Sequence, residues 1–271
     1  MQIRAGYEIA YDCPQPTPMV LMLSVHPTRL PDLATPQRMT FDPPVDARDH
    51  RDLHGNICTR ITAPVGRITI SSDFVITDSG RPDIVEPDAE QLPVQDLPDD
   101  VMIFLLGSRY CDTDHLSNTA WSLFGNGPTG WARVQAICDY VHERLTFGYH
   151  HASVTRTAWD GFREQRGVCR DFAHLAITLC RCMNIPARYC TGYLGDIGVP
   201  PPDAPPDFSA WFDAYLGGSW HAFDARFNVP RIGRILMARG RDATDTALTT
   251  TFGPAKLAGF DVHTDEVPAI G

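Results

Sequence analysis

The chain has 271 residues, 43% of them hydrophobic and 21% charged, with a formal net charge of -10. That composition suits a soluble globular protein of one large or two modest cores. The acidic balance argues against nucleic acid, whose phosphates call for an excess of lysine and arginine, and against an anionic membrane surface. No stretch approaches the roughly 20 apolar residues of a membrane span, and Met1 to Glu8 lacks the apolar core of a secretory leader. A cytoplasmic protein is expected.

Up to about residue 110 the chain reads as short strands broken by turns: Ile3 to Tyr11, the apolar run Met19 to Val25, Ile57 to Ile61 after the turn at Asp52 to Asn56, then Val65 to Ile70 and Asp73 to Thr77. This is expected to be a β-sandwich-like domain over residues 1–110, ending in a proline- and acid-rich arm, Arg81 to Asp100. Residues 111–271 form the second unit, and there the period changes. Trp131, Val134, Ile137, Cys138 and Val141 recur at helical spacing, and Thr157 followed by Asp160 resembles a helix start. The clearest helix begins at Cys169, with Phe172, Ala173, Ala176, Leu179, Cys180 and Met183 on one side and a stop at Asn184. Strands are expected over Ala187 to Leu194, Phe208 to Leu216 and Ser219 to Phe227.

The eight cysteines lie mostly in apolar segments and form no paired Cys-x-x-Cys set, so reduced, buried thiols are expected and no metal site is implied. Cys169 is the exception. A helix N-terminus has unpaired N–H groups and a partial positive charge, which favour a thiolate. Gly167 just before it would let a substrate carbonyl approach the backbone, with the amides near Gly167 and Cys169 serving as an oxyanion hole.

The wider pattern is more specific. Gly167-Val168-Cys169-Arg170-Asp171-Phe172-Ala173-His174, Asn184-Ile185-Pro186-Ala187-Arg188-Tyr189, Thr191-Gly192-Tyr193, Ala210-Trp211 and Trp220-His221-Ala222-Phe223-Asp224 together resemble the bacterial transglutaminase-like family, of papain-like cysteine-enzyme fold. The resemblance is strong over residues 130 to 230, and the β-rich first part looks like the domain often found before this core. It implies an α+β protein with a Cys-bearing helix packed on an antiparallel sheet, and acyl transfer through a Cys-His-Asp triad. Cys169 matches the nucleophile and Asp224 the orienting carboxylate. The family's histidine precedes Ala-Trp, and here that position is Ser209.

Gly217-Gly218 signals a two-residue hairpin turn. Such a turn pairs Leu216 with Ser219, Trp211 with Asp224 and Ser209 with Arg226, putting Ser209, Trp211, Asp224 and Arg226 on one face and His221 on the other. His151 and His150, in the loop before the Cys169 helix, are the better substitutes for the base, while His174 lies about 140° around the helix from Cys169. Alternatively no base is needed, if Arg170 and Arg226 hold Cys169 ionised at neutral pH. A site without a proton donor suits an activated acyl group such as a thioester. Trp211 is a candidate wall for the acyl site, with Arg170 and Arg226 beside it. The proline-rich run from Pro200 to Asp207 is read as a connector, and the clusters at Arg231 to Arg234 and Arg239 to Arg241 as solvated charge, with anionic substrate binding the sharper alternative. The expected function is cysteine-dependent acyl transfer or hydrolysis on a small-molecule or peptide acyl substrate, with no cofactor. The rival is a non-catalytic binding or scaffolding protein that kept the fold.

Overall fold

The computed structural model describes residues 1–200 and 206–268. The strands are β1 (Gln2–Cys13), β2 (Thr17–Leu21), β3 (Thr40–Asp42), β4 (Arg48–Arg51), β5 (Ile57–Ala63) and β6 (Gly66–Thr77) in the first part, then β7 (Thr146–Phe147), β8 (Arg166–Gly167), β9 (Ala187–Tyr193), β10 (Ser209–Leu216), β11 (Ser219–Phe223), β12 (Ile235–Gly240), β13 (Thr249–Thr251) and β14 (Lys256–Glu266). The helices are α1 (Thr113–Phe124), α2 (Trp131–Arg144), α3 (Ala158–Glu164) and α4 (Cys169–Cys182).

Alternating apolar residues close the first core. Ile3, Ala5, Tyr7 and Ile9 of β1 meet Ile68, Ile70, Phe74 and Ile76 of β6 and Met19 and Leu21 of β2, all buried. One sheet runs β14-β1-β6-β3 and the other β13-β2-β5-β4. The two strands expected over 65–77 are one, because β1 pairs with β6 without interruption from Gln2↔Thr77 to Cys13↔Gly66.

The expected division at residue 110 fails at the C-terminus. β14 pairs antiparallel along β1, and β13 with β2, so residues beyond 248 belong to the sandwich's sheets. β1 would otherwise expose a long unpaired edge. Tyr193, Phe208, Ile235 and Met237 of the second part also enter the sandwich core.

The second core is α+β. α4 is buried along nearly its whole length between α1, α2 and the sheet β11-β10-β9-β12, whose residues Ala210, Phe212, Ala214 and Leu216 face it. Thr157 caps α3 in a reciprocal box with Asp160, and α4 ends where Asn184 turns left-handed at φ 61°. The acidic arm wraps the core rather than leaving it. The Trp131 N–H donates to the Ala89 carbonyl, the Gly217 N–H to that of Glu90, and Asp83 binds Arg231 and Arg234. Of the run from Pro200 to Asp207, residues 201–205 lie outside the described residues.

Candidate active site

Cys169 is the first residue of α4, and its approach is fixed by a short parallel pair. Phe147 of β7 lies opposite Gly167 of β8, and the Gly148 N–H donates to the Gly167 carbonyl at 3.1 Å. Asp171, one turn into the helix, reaches back to accept the Val168 N–H at 2.9 Å, with Arg156 3.3 Å from the same oxygen. A Cβ at residue 167 would stand 2.5 Å from Asp171 Cβ. Gly167 therefore makes room for this cap, and the space above it is filled by Asp171 rather than left for a substrate carbonyl.

Seven of the eight cysteines are buried and all eight are free; Cys169 alone is partly exposed. Burial pushes its thiol up to about 11, against the Arg226 charge and the Ala210 backbone N–H, which lower it; Asp207 and Asp224 raise it further. Burial thus opposes the expected thiolate, and Arg226 is the one cation acting against it. Arg170 is not that cation, since its guanidinium donates to the Ser153 carbonyl and lies 5.6 Å from the Tyr110 ring centre. Arg226 lies over the Phe147 ring at 3.7 Å.

A cleft of about 480 Å³ is lined by Tyr149, Asp207, Ser209, Arg226 and His263, and of these Arg226 and Asp207 act on the Cys169 thiol. Ser209 is 5% exposed, and its hydroxyl has no hydrogen-bond partner among the described residues. Burial raises Asp207 to about 6, opposed by the Phe208 N–H and Arg226. Tyr149 is raised by burial and then by Asp207. Asp207 and Tyr149 escape sequence reasoning, since neither stands in a motif; only the fold reveals that this acid is desolvated beside the cysteine.

The hairpin forms in the expected register, from Leu216↔Ser219 to Phe212↔Phe223, but pairing ends there. Ser209 and Trp211 pair only with Gly192 and Cys190 of β9, so the expected pairs Ser209–Arg226 and Trp211–Asp224 do not form. Asp224 instead opens a turn, its Oδ1 accepting the N–H groups of Arg226 and Phe227 at 3.0 and 3.1 Å. Its Oδ2 takes Arg234 at 3.1 Å, and Arg234 also binds Asp83 and lies 5.1 Å from the Trp211 ring centre. The Arg231–Arg234 cluster is therefore buried and paired, not solvated.

The four histidines weighed as the base lie elsewhere, and His263 of the cleft lies 3.3 Å from Asp73. His221 is buried, its Nε2 3.1 Å from the Leu216 carbonyl and its ring against Trp131. The His150 and His151 rings lie 3.9 Å apart at a tilt of 52° in the turn at Tyr149–His151, and slight desolvation and His150 hold His151 below its usual value. His174 stacks on Tyr110, meets Tyr189 at a tilt and accepts the Ala243 N–H; burial takes it down to about 3. The charges acting on the Cys169 thiol come from Arg226, Asp207 and Asp224, not from an imidazole. Among the described residues no cluster of histidine, cysteine and acid could hold a metal, and no helix is long and apolar enough to cross a membrane.

Residues 118–225 match the model of the transglutaminase-like superfamily. An uncharacterized Mycobacterium leprae protein is 36% identical over 124 residues, covering 43% of this chain and 39% of that protein. An uncharacterized Mycobacterium tuberculosis protein is 26% identical over 278 residues, covering 86% of this chain and 82% of its own. The solved structure of a Cytophaga hutchinsonii protein, described as a candidate cysteine protease, is 30% identical, with a TM-score of 0.84 over 99% of this chain and 91% of that one. The family model over the Cys169 core and the fold shared along nearly the whole of that relative agree, and the chain belongs to the bacterial transglutaminase-like family.

Proposed function

We propose that the protein performs cysteine-dependent acyl transfer or hydrolysis on an activated acyl group, a thioester of a small molecule or peptide. The observation that carries this reading is the partly exposed Cys169 at the α4 N-terminus, whose thiol is acted on by Arg226, Asp207 and Asp224, while the histidine of the adjoining cleft, His263 of β14, lies 3.3 Å from Asp73. In the step we infer, Cys169 Sγ attacks the thioester carbonyl. The new S–C bond forms as the substrate's C–S bond breaks, and the Cys169 proton leaves on the departing thiol. Asp207, which titrates nearest neutrality among these groups, is the acceptor we assign to that proton in transit. The Ser209 hydroxyl is free to donate to the developing oxyanion. An amide would need its poorly leaving amine protonated, and a neutral thiol with no imidazole suits that less well. Water or an acceptor nucleophile then takes the acyl group from Cys169.

A second reading, a binding protein that kept the fold, is favoured by two observations: the thiol is held near 11, and Asp224 is bound by Arg234. Incubation with an acyl-thioester followed by intact mass and peptide mapping separates the two. A single acyl adduct on Cys169, absent from Cys169→Ala, is expected. If folded protein stays unmodified while free cysteine exchanges under the same conditions, the binding reading replaces ours. We assign the reaction to the cytoplasm, a reducing compartment that suits eight unpaired thiols.

A further inference from the structure

A larger cavity, of about 720 Å³, opens where the second core meets the turn between β4 and β5. Three arginines line it, and their partners differ. Arg188 pairs with Asp213 at 2.8 Å and lies over Trp220 at 4.1 Å, and Arg241 is bound by both oxygens of Asp245. The Arg239 guanidinium makes no hydrogen bond or ion pair with any described residue. Its backbone is nevertheless fixed, the N–H donating to Asn56 Oδ1 and the carbonyl accepting from Asn56 Nδ2, at 2.9 and 2.8 Å. A half-buried guanidinium costs free energy unless an anion joins it. Its charge is only partly offset: burial and then the Arg188 charge lower Arg239, with Cys190 and Asp213 opposing them, and burial followed by Arg239 takes His26 down to about 4.

The opposite wall is apolar. Phe104 meets Trp220 edge-on at 5.3 Å, and Leu53 and Ile103 stand exposed at the rim, at 102% and 40%. Exposed apolar side chains gathered round a cavity mark a binding surface. Asp52, Asp100 and Asp245 also line it, and they disfavour a multiply charged phosphate while leaving room for one negative charge at Arg239. A planar carboxylate matches the guanidinium fork.

We propose that this cavity binds an apolar monocarboxylate, its carboxylate on Arg239 and its body against Phe104, Trp220 and Ile103. The site shares no residue with the Cys169 cleft, so it stands whether or not Cys169 is a nucleophile.

Titration calorimetry with 1-naphthoate tests it, with 2-naphthalenemethanol as the neutral counterpart and inorganic phosphate as the polyanion. Naphthoate is expected to bind wild type and Cys169→Ala alike, and Arg239→Gln about tenfold or more weakly; the alcohol binds weakly and equally to all three. Ile103→Glu, at the exposed rim, is expected to lose naphthoate binding without touching the arginine, which covers the case of an Arg239→Gln protein that does not fold. Equal naphthoate affinity in wild type and both variants, phosphate bound more tightly than naphthoate, or no heat at about 5 mM would each overturn the proposal.

Discussion

Arg234 Nη2 lies 3.1 Å from Asp224 Oδ2 in a pair almost closed to water, the side chains 8% and 2% exposed. The carboxylate that the resemblance places as the orienting group thus holds a guanidinium, and that guanidinium carries the arm through Asp83. Removing one member of a buried pair leaves the other charge desolvated and alone. Arg234→Met is expected to lower unfolding stability by about 3–5 kcal/mol, read from urea denaturation. A loss below about 1 kcal/mol would mean the pair is hydrated in solution.

The thiol's environment gives a second prediction with a definite sign. At about 11, Cys169 is almost entirely protonated at neutral pH, so alkylation should climb about tenfold per pH unit through pH 7 to 10 without levelling. Asp207 raises the thiol and Arg226 lowers it. Asp207→Asn should therefore speed labelling at a given pH, and Arg226→Met should slow it. Iodoacetamide labelling, quantified on the Cys169 peptide, reads this directly, because the other seven cysteines are buried. A plateau already reached by pH 7 would refute a thiol held neutral by its desolvation.

Period and capping made α4 and α3 legible, and Gly217-Gly218 fixed the β10–β11 register to the residue. Each signal is local. α1 was obscured because Trp121 and Leu123 face solvent beside the buried Leu116, Ala120 and Phe124, blurring the apolar stripe. β14 has a mostly exposed sequence and is a strand only because β1, more than 240 residues earlier, offers it an edge. The site divides the same way. The place of Cys169 at the head of α4 could be read from the chain, whereas the desolvated Asp207, the capture of Asp224 by Arg234 and the unpaired Arg239 exist only once distant segments meet.

Gly192, one residue from the end of β9 and opposite Ser209, is a third point of test. A Cβ there would collide with the Ile235 carbonyl of β12. Backbone cannot yield as a side-chain tip can, so Gly192→Ala is expected to cost about 1–3 kcal/mol and to lower the thermal midpoint. An unchanged midpoint would show that β12 is free to shift at its irregularity between Leu236 and Ala238.

Ser209→His is the most informative change at the site. The hydroxyl there is unpartnered, and the adjoining cleft of about 480 Å³ has room for an imidazole. A base positioned beside the thiol contributes about 10²–10⁴-fold. Its orienting carboxylate, however, is engaged by Arg234, so the imidazole would lack the partner that fixes its tautomer. The gain in thioester exchange at pH 7 should therefore fall at the low end, about 10²-fold, and alkylation should gain a component that titrates near the usual histidine range. Both readouts require Cys169, so Ser209→His combined with Cys169→Ala should show neither. If folded Ser209→His protein exchanged acyl groups no faster than wild type, residue 209 would not address the thiol, and the assignment of its hydroxyl to the oxyanion would fall with it.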